Sequence, residues 1–191
     1  MRSVTTGVRC LSEGFMKISQ KGIDFIKSQE ALSLIAYHGK CDKEGIYTIG
    51  WGHTKGVRPG DRISREQAEN FLRDDLAWVE RVLNADLVSG RDNPIVTQNE
   101  YDALCSLVFN IGSQAYLDST VRRKIKQGDK MGAAHAFGMW IYSNHKIAPG
   151  LVTRRNAERK MFLQGGYIVT AMTAIMLCVC IIIAFILLCL A

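Results

Sequence analysis

The charged residues of this 191-residue chain stop before its last stretch, and this boundary limits the possible fold more than any other feature. Between residues 167 and 190 runs YIVTAMTAIMLCVCIIIAFILLCL, interrupted only by the mildly polar Thr170 and Thr173. A helix over this segment would be roughly 36 Å long, against a hydrocarbon thickness of about 30 Å. A core helix of this length in so small a domain would have no polar face to turn to water. The sequence therefore predicts one transmembrane helix over 167–190.

The part of the chain before this segment has the charged fraction of a soluble globule. Residues 19–165 are predicted to form one folded domain. Residues 1–18 show no clear period and no apolar signal-peptide region, so they are treated as a leader of uncertain order. Four cations, Arg154, Arg155, Arg159 and Lys160, lie just before the apolar segment. By the positive-inside rule they predict a single-pass protein whose domain is cytoplasmic.

Charge and cysteine content exclude several classes of function. The net charge of +6 favours anionic partners such as membrane surfaces or acidic wall polymers. No basic run with interleaved aromatic residues occurs, which argues against nucleic acid. The six cysteines show no C-x-x-C spacing, and three of them lie in the apolar segment. This pattern predicts no metal site and no complete disulfide set, and it favours a reducing compartment.

The periodicity of the domain predicts an α+β fold that is mostly helical. Ser19 is placed as a helix cap, and spacings of three and four residues put Ile23, Ile26, Glu30 and Leu34 on one helix face. IYTIGWGHT, which ends at Thr54, is typical of a strand. Two capping boxes, Ser64 with Gln67 and Thr97 with Glu100, begin further helices. Helices are also predicted at 119–127, 129–142 and 151–163, the last two separated by Pro149-Gly150.

Three polar residues near the strand suggest a catalytic site. A carboxyl group on an apolar face loses hydration, which raises its pKa and lets it serve as a general acid. Glu30 fits that description, whereas Asp42 on a turn would stay ionised, and the Thr48 hydroxyl could hold a water molecule. Two carboxyl groups of different pKa are typical of glycosidic bond cleavage. Spacing alone favours a simpler interpretation, with Glu30 a surface residue, Asp42 a turn former and Thr48 a strand residue.

Four stretches shift that balance, because together they resemble the phage-type lysozymes of glycoside hydrolase family 24, which serve as endolysins. They are the helix-terminal Glu30 followed by AY and GIYTIGWGHT, then TQNEYDALCSLVFNIG, then STVRRKIKQGD, and finally PGLVTRRNAERKMFL with WIY just before it. Their order and separation fit across roughly residues 19–164. The resemblance implies a lysozyme-like fold, with a small β-hairpin lobe and a mainly helical lobe. It also implies hydrolysis of the β-1,4 bond between N-acetylmuramic acid and N-acetylglucosamine in peptidoglycan, leading to lysis of the host cell.

The resemblance assigns roles to the same three residues. Glu30 takes the place of the general acid, Asp42 stabilises charge or activates water, and Thr48 orients the water. The family pattern has eight residues between its first two members, whereas eleven separate Glu30 from Asp42. Cys41, beside Asp42, is therefore an alternative for the middle place. Asp42 is preferred because a carboxylate suits the role and because its spacing to Thr48 fits. The family implies no metal and no cofactor.

Further residues are assigned around this set. Asn110, Trp140 and Arg155 are predicted to bind substrate, although core packing is an alternative for Trp140. Arg154 or Arg155 is expected either to pair near Glu30 or to belong to a solvated basic face. His53 is predicted to be structural.

Two other functions remain open at this stage. A lytic transglycosylase would act on the same bond without a positioned water, and an inert membrane-tethered module would only bind the wall. A cytoplasmic domain held at the host cell inner membrane would also need a membrane-breaching, holin-like partner to reach peptidoglycan.

Overall fold

The computed structural model describes residues 15–39, 45–87 and 96–164, and these form a small β hairpin lobe beside a larger helical body. The predicted transmembrane segment 167–190 lies outside the described residues. The helices are α1 (Gln20–Gln29), α2 (Arg65–Leu87), α3 (Gln98–Ile111), α4 (Ser113–Leu117), α5 (Thr120–Lys126), α6 (Lys130–Ala136) and α7 (149–164). The strands are β1 (Ser33–Tyr37), β2 (Thr48–Gly50), β3 (Tyr142–Ser143) and β4 (Lys146–Ile147).

The helix starts predicted from the sequence are confirmed. Ser19 caps α1 through its side chain. Ser64 and Gln67 exchange backbone-to-side-chain hydrogen bonds of 2.7 and 3.1 Å at the start of α2. Thr97 and Glu100 form the predicted capping box of α3. Side chains of this kind satisfy the free N–H groups of a first helical turn, so these starts are fixed by local chemistry.

The first helix is shorter than its apolar spacing predicts. It ends at Gln29, and Glu30 is its C-cap residue with extended backbone angles of φ −112° and ψ 134°. The prediction that Leu34 shares a helix face with Glu30 is therefore wrong, because Leu34 lies in β1. The run SLIAY, rich in apolar and aromatic residues, instead pairs antiparallel with β2, with Ser33 opposite Gly50 and a bulge between the strands.

The strand predicted from IYTIGWGHT is confirmed only in part. Three residues, Thr48–Gly50, form β2, and the chain then turns tightly so that Ile49 and His53 exchange backbone hydrogen bonds of 2.8 and 2.9 Å. Gly50 and Gly52 have φ of 65° and 96°, values that residues with a Cβ rarely adopt. The turn returns His53 towards the helical body.

The helix predicted at 129–142 is also too long. Helix α6 ends at Ala136, a 3₁₀ turn covers Phe137–Met139, and the short β3–β4 hairpin follows. Asn144 and His145 occupy its two-residue turn with φ of 48° and 60°. Both central residues of such a turn need positive φ, and outside Asn-Gly pairs this is a weak signal in a sequence.

Helix α3 is the centre of the main core. Its buried face packs against α2, α5, α6 and α7, and the fully buried members of this cluster include Leu83, Tyr101, Leu104, Leu107, Val121, Phe137 and Phe162. A second cluster joins α1 to the first half of α2 and to the turn after β2 through Ile26, Trp51, Ala68, Leu72 and Leu76. Each such side chain contributes about 1.5–3 kcal/mol by leaving water. The two clusters hold the hairpin lobe and the helical body in fixed positions around α2.

The last residues of the predicted leader are attached to this body. The backbone N–H of Met16 donates to Asn84 Oδ1 at 2.7 Å, and that of Ile18 donates to Glu80 Oε1 at 2.8 Å. The remainder of the predicted leader, residues 1–14, lies outside the described residues. In the described part of the chain, no helix is both long and apolar enough to cross a membrane.

Candidate active site

Glu30 lies at the junction between the helical body and the hairpin lobe. Helix α1 ends directly before it, and β1 begins three residues later. Its side chain is 23% exposed, and Oε1 accepts a hydrogen bond of 2.5 Å from Nη1 of Arg154 on α7. The expected pairing of a C-terminal arginine with Glu30 is therefore confirmed, and Arg154 is the partner.

Arg154 is itself held by two further contacts. Its Nε donates to Glu158 Oε1 at 3.1 Å, and its Nη2 donates to the backbone oxygen of Ser106 at 3.3 Å. Its side chain is only 5% exposed. A planar guanidinium with three of its nitrogens occupied has little freedom to rotate. The position of the Glu30 carboxyl group is thus set from α3 and α7 as well as from α1.

Glu158 is the buried anchor of this cluster, with a side chain that is 0% exposed. Ser106 Oγ donates to its Oε1 at 2.6 Å. Its Oε2 lies 3.1 Å from Nη1 of Arg155, but the two groups are not aligned for a hydrogen bond, so this contact is an ion pair only. Burial raises the pKa of Glu158 above its ordinary value, although both arginines and Ser106 oppose that rise.

Arg155 links this cluster to the predicted sugar-binding residue Asn110. Its side chain is 1% exposed, and burial lowers the pKa of its guanidinium group. Its Nη2 donates to Asn110 Oδ1 at 2.7 Å, while Asn110 itself is exposed at the end of α3. With its carbonyl oxygen occupied, Asn110 keeps its amide N–H₂ group to donate to a ligand. Arg155 thus contacts Asn110 directly, and the substrate-binding roles predicted for both residues stay predictions.

Of the other two predicted catalytic residues, Thr48 and Asp42, the structure describes only Thr48. Thr48 is the first residue of β2 and is buried, opposite Tyr37 of β1. Asp42 and its alternative Cys41 lie outside the described residues. The roles of Asp42 and Thr48 therefore stay predictions.

Trp140 follows the 3₁₀ turn and packs partly against the main core. The packing agrees with the core-packing alternative given for Trp140 in the sequence analysis. Part of the ring remains accessible. Three exposed apolar side chains lie near it in the sequence: Met139 in the 3₁₀ turn, and Tyr142 and Ile147 on the β3–β4 hairpin. The first two were not identified as exposed from the sequence because 129–142 was assigned to a helix.

A groove of about 590 Å³ separates residues 52–55 of the hairpin lobe from α2 and α3. Trp78 is 56% exposed in it, and its indole N–H donates to Ser113 Oγ at 3.0 Å, which fixes the ring. His53 lies in the wall of the groove, with Nδ1 2.9 Å from Asp75 Oδ2 and Nε2 2.9 Å from the backbone oxygen of Lys55. Both ring nitrogens are engaged, as expected for a structural histidine. The groove continues to Phe109, the neighbour of Asn110.

The sequence contained a signal for the anchor that was not used. Arg154 and Glu158 are four residues apart, and Arg155 and Glu158 are three apart, so one helix face brings all three together. Within residues 15–39, 45–87 and 96–164, no group of three His, Cys, Asp or Glu side chains is placed to hold a metal ion.

A glutamate held at the junction of a small β lobe and a helical body is consistent with a lysozyme-like glycosidase. The family described as phage lysozyme matches residues 27–158. The chain belongs to the phage lysozyme family, and it is an enzyme of that class.

Individual relatives agree with this assignment. The chain is 44% identical over 151 residues to the endolysin of Acyrthosiphon pisum secondary endosymbiont phage 1, covering 77% of this chain and 98% of that relative. Among solved structures, the endolysin from Escherichia coli O157:H7 phage FAHEc1 has a TM-score of 0.68 and 38% identity, over 80% of this chain and 96% of that one. The muramidase domain of SpmX from Asticaccaulis excentricus has a TM-score of 0.68 and 35% identity, over 77% and 97% of the two chains. The predicted lysozyme-like α+β fold is confirmed.

Proposed function

We propose that this protein is a membrane-anchored endolysin that hydrolyses the β-1,4 bond between N-acetylmuramic acid and N-acetylglucosamine, with Glu30 as the general acid. Family membership makes it a peptidoglycan-cleaving lysozyme, whose action lyses the bacterial cell. The observation that carries the assignment of Glu30 is its contact with Arg154, itself anchored on buried Glu158.

The contact with Arg154 occupies one oxygen of Glu30. A guanidinium group only donates hydrogen bonds, so Oε1 of Glu30 accepts. Oε2 is therefore the oxygen proposed to donate the proton. In the proposed reaction this proton passes to the glycosidic oxygen, and the leaving sugar departs with a hydroxyl group. Asp42 stabilises the positive charge of the ring or activates the water that completes the hydrolysis, and Thr48 orients that water.

Loss of peptidoglycan turbidity tests this assignment, using the full chain in detergent. Replacing Glu30 by Gln keeps the size and the Arg154 contact but removes the transferable proton, and loss of general acid catalysis reduces rates by typically 10²–10⁴-fold. Glu66→Gln, on the exposed first turn of α2, is the matched control and should leave the rate unchanged. Equal rates for wild type and Glu30→Gln would remove Glu30 from the mechanism.

Lytic transglycosylation of the same bond is the main alternative chemistry. It forms a 1,6-anhydro ring and requires no positioned water, so mass spectrometry of the released fragments distinguishes it from hydrolysis. Asp42 and Thr48 together support hydrolysis. Binding to the wall without sugar release would instead indicate the inert module, an alternative that family membership disfavours.

Residues 167–190 are proposed to span the inner membrane of the host cell once, with the domain cytoplasmic before lysis. Only part of the predicted basic flank supports this orientation, because Arg154 and Arg155 are buried and paired near Glu30 and Glu158. Arg159 and Lys160 remain on the surface side of α7. A holin-like partner would then give the domain access to the wall. Recovery of most of the protein in the supernatant of an alkaline membrane wash would contradict stable insertion.

A further inference from the structure

A second groove, of about 710 Å³, lies at the opposite end of α1 from Glu30. It is lined by Lys21, Asn99, Asn156, Arg159, Lys160, Leu163 and Gln164. Glu30 and Thr48 are not among its lining residues.

The groove is positively charged, and no acidic residue in the described part of the domain neutralises it. Lys21, Arg159 and Lys160 supply three cations, and none of its described lining residues is acidic. Lys21 Nζ lies 3.4 Å from Asn99 Oδ1 and 3.3 Å from Gln164 Oε1, which are neutral amide oxygens. Within the described ranges, no carboxylate forms an ion pair with these three cations. The positive charge of the groove therefore favours binding of an anion. The methylene groups of its lysines and the side chain of Leu163 add apolar surface, which favours an anion that carries a hydrocarbon group.

Two contacts show that α1 and α7 lie side by side in opposite directions. Glu30 meets Arg154 at one end of the pair, and Lys21 meets Gln164 at the other. Ten helical residues correspond to about 15 Å. The basic groove is thus roughly 15 Å from the catalytic end along the same two helices.

The chain itself holds this groove close to the apolar segment. Only Gly165 and Gly166 lie between Gln164 and Tyr167, the first residue of the predicted span. Three residue steps reach at most about 10 Å, even when fully extended. A span that begins at Tyr167 therefore keeps Gln164 within about 10 Å of the bilayer surface, at the depth of lipid phosphates.

We propose that this groove binds the phosphate of an anionic phospholipid headgroup and so docks the lysozyme domain on the membrane face. The inference rests on the proposed insertion of residues 167–190. Cations near an anionic leaflet each strengthen attraction several-fold, so loss of two should lower the ratio of docked to undocked domain roughly thirtyfold.

The test uses the full chain reconstituted into vesicles of phosphatidylcholine, with or without phosphatidylglycerol, that carry a dansyl-labelled lipid headgroup. Energy transfer from the protein tryptophans to the dansyl group reports docking. We expect stronger transfer in the anionic vesicles, declining with added salt. Arg159→Gln with Lys160→Gln should abolish most of this increase. The matched control, Arg65→Gln with Arg73→Gln, removes the same charge from the exposed surface of α2 and should retain it.

The outcomes separate this inference from the proposal on which it rests. Vesicles are first washed at alkaline pH, and release of the protein would overturn both proposals. Retention with equal transfer in neutral and anionic vesicles would overturn the docking site alone. Equal losses in the two double variants would also overturn it, because the effect would then reflect net charge. Hydrolysis of soluble peptidoglycan fragments by every variant verifies that the domain is folded.

Discussion

At the scale of single residues, the site depends on one arginine that serves two acids. Arg154 reaches Glu30 with Nη1 and Glu158 with Nε, and its Nη2 binds the backbone of Ser106. A lysine carries the same charge but only one nitrogen, so it cannot make these contacts together. Arg154 is therefore a positioning residue, which acts through Glu30.

We predict that Arg154→Lys lowers kcat at least about tenfold, equivalent to about 1.4 kcal/mol, with a smaller change in KM. The alkaline limb of the pH–rate profile, where activity is lost as a general acid ionises, should change because the Arg154–Glu30 contact is altered while the fold persists. Arg159→Lys, on the exposed side of the same helix, should have a normal profile. A fall in activity that follows loss of thermal stability, without a change in the profile, would argue for a purely structural role.

A second prediction concerns Trp78, whose fixed and exposed ring offers a flat face in the interlobe groove. Sugar rings pack on such faces, so Trp78→Ala should raise KM for peptidoglycan fragments by about fivefold, since aromatic contacts contribute about 1 kcal/mol beyond their buried area. Trp78→Phe should restore most of the affinity. Met131→Ala, which removes an exposed apolar side chain elsewhere, should leave KM unaltered. An unchanged KM for Trp78→Ala would place the glycan outside this groove.

The sequence alone indicated some of the residues of the candidate site and not others. Glu30 was singled out as a candidate because it lay among apolar residues at helical spacing, and the resemblance to phage-type lysozymes assigned its role. Its contact with Arg154 is observed, and its catalytic role stays a prediction. The spacing of Glu158 from Arg154 and Arg155 was visible in the sequence, but the burial of Glu158 depends on how α7 packs against α3, which no local pattern contains. Trp78 was missed because its exposure is a property of the groove and not of the amphipathic helix α2.

At the scale of elements, helices α2 and α5 are joined by one buried carboxylate. Asp86, near the end of α2, accepts a hydrogen bond of 2.9 Å from Arg122 Nε and one of 3.1 Å from Tyr116 Oη, and it pairs with Lys126 at 3.2 Å. Burial acts to raise the pKa of Asp86, but hydrogen bonds from Arg122 and Lys126 outweigh it, and the pKa falls below its ordinary value of 3.8. Ionised Asp86 therefore stabilises the folded state at neutral pH.

We predict that Asp86→Asn lowers the free energy of unfolding at pH 7 by about 1.5–3 kcal/mol, the usual contribution of hydrogen bonds to a charged group. The unfolded chain takes up this proton at a higher pH than the folded chain does. The stabilisation is thus complete above about pH 3.8 and is lost as the pH falls through the lower pKa of the folded state. Urea titrations at several pH values should show the two proteins converging in acid. For the control Asp24→Asn, at an exposed site, the free energy of unfolding should vary with pH as it does in the wild type. A difference between Asp86→Asn and wild type that does not change with pH would contradict this account.

The ends of helices and strands were predicted correctly where a side chain in the same turn forms the capping hydrogen bonds. The caps at Ser19, Ser64 and Thr97 were predicted and confirmed, because each satisfies N–H groups within its own turn. Leu34 was placed in the wrong element, since pairing with β2 overrides the helical spacing that precedes it. The β3–β4 hairpin was missed because its turn uses Asn144 and His145, where a glycine would have signalled positive φ.

At the scale of the whole molecule, catalytic domain and apolar segment are separated by only two glycines. We predict that a Gly/Ser linker of about ten residues, inserted between Gly166 and Tyr167, lets the domain move roughly 17 Å further from the bilayer. The docked fraction in anionic vesicles should fall, because the effective concentration of the groove at the surface drops. Hydrolysis of soluble fragments should continue at the wild-type rate. The same linker placed after Ala191 should leave docking intact, and loss of docking there would indicate disturbed insertion.

The antiparallel pair of α1 and α7 sets the height of the active site in the docked enzyme. If the basic end of the pair lies on the phosphates and the helix axes follow the membrane normal, the Glu30 carboxyl group is about 15 Å above the phosphates. On the cytoplasmic leaflet peptidoglycan is out of reach at this height, so the docked molecules would form a store of enzyme that cuts glycan strands only after the holin-like partner opens the membrane.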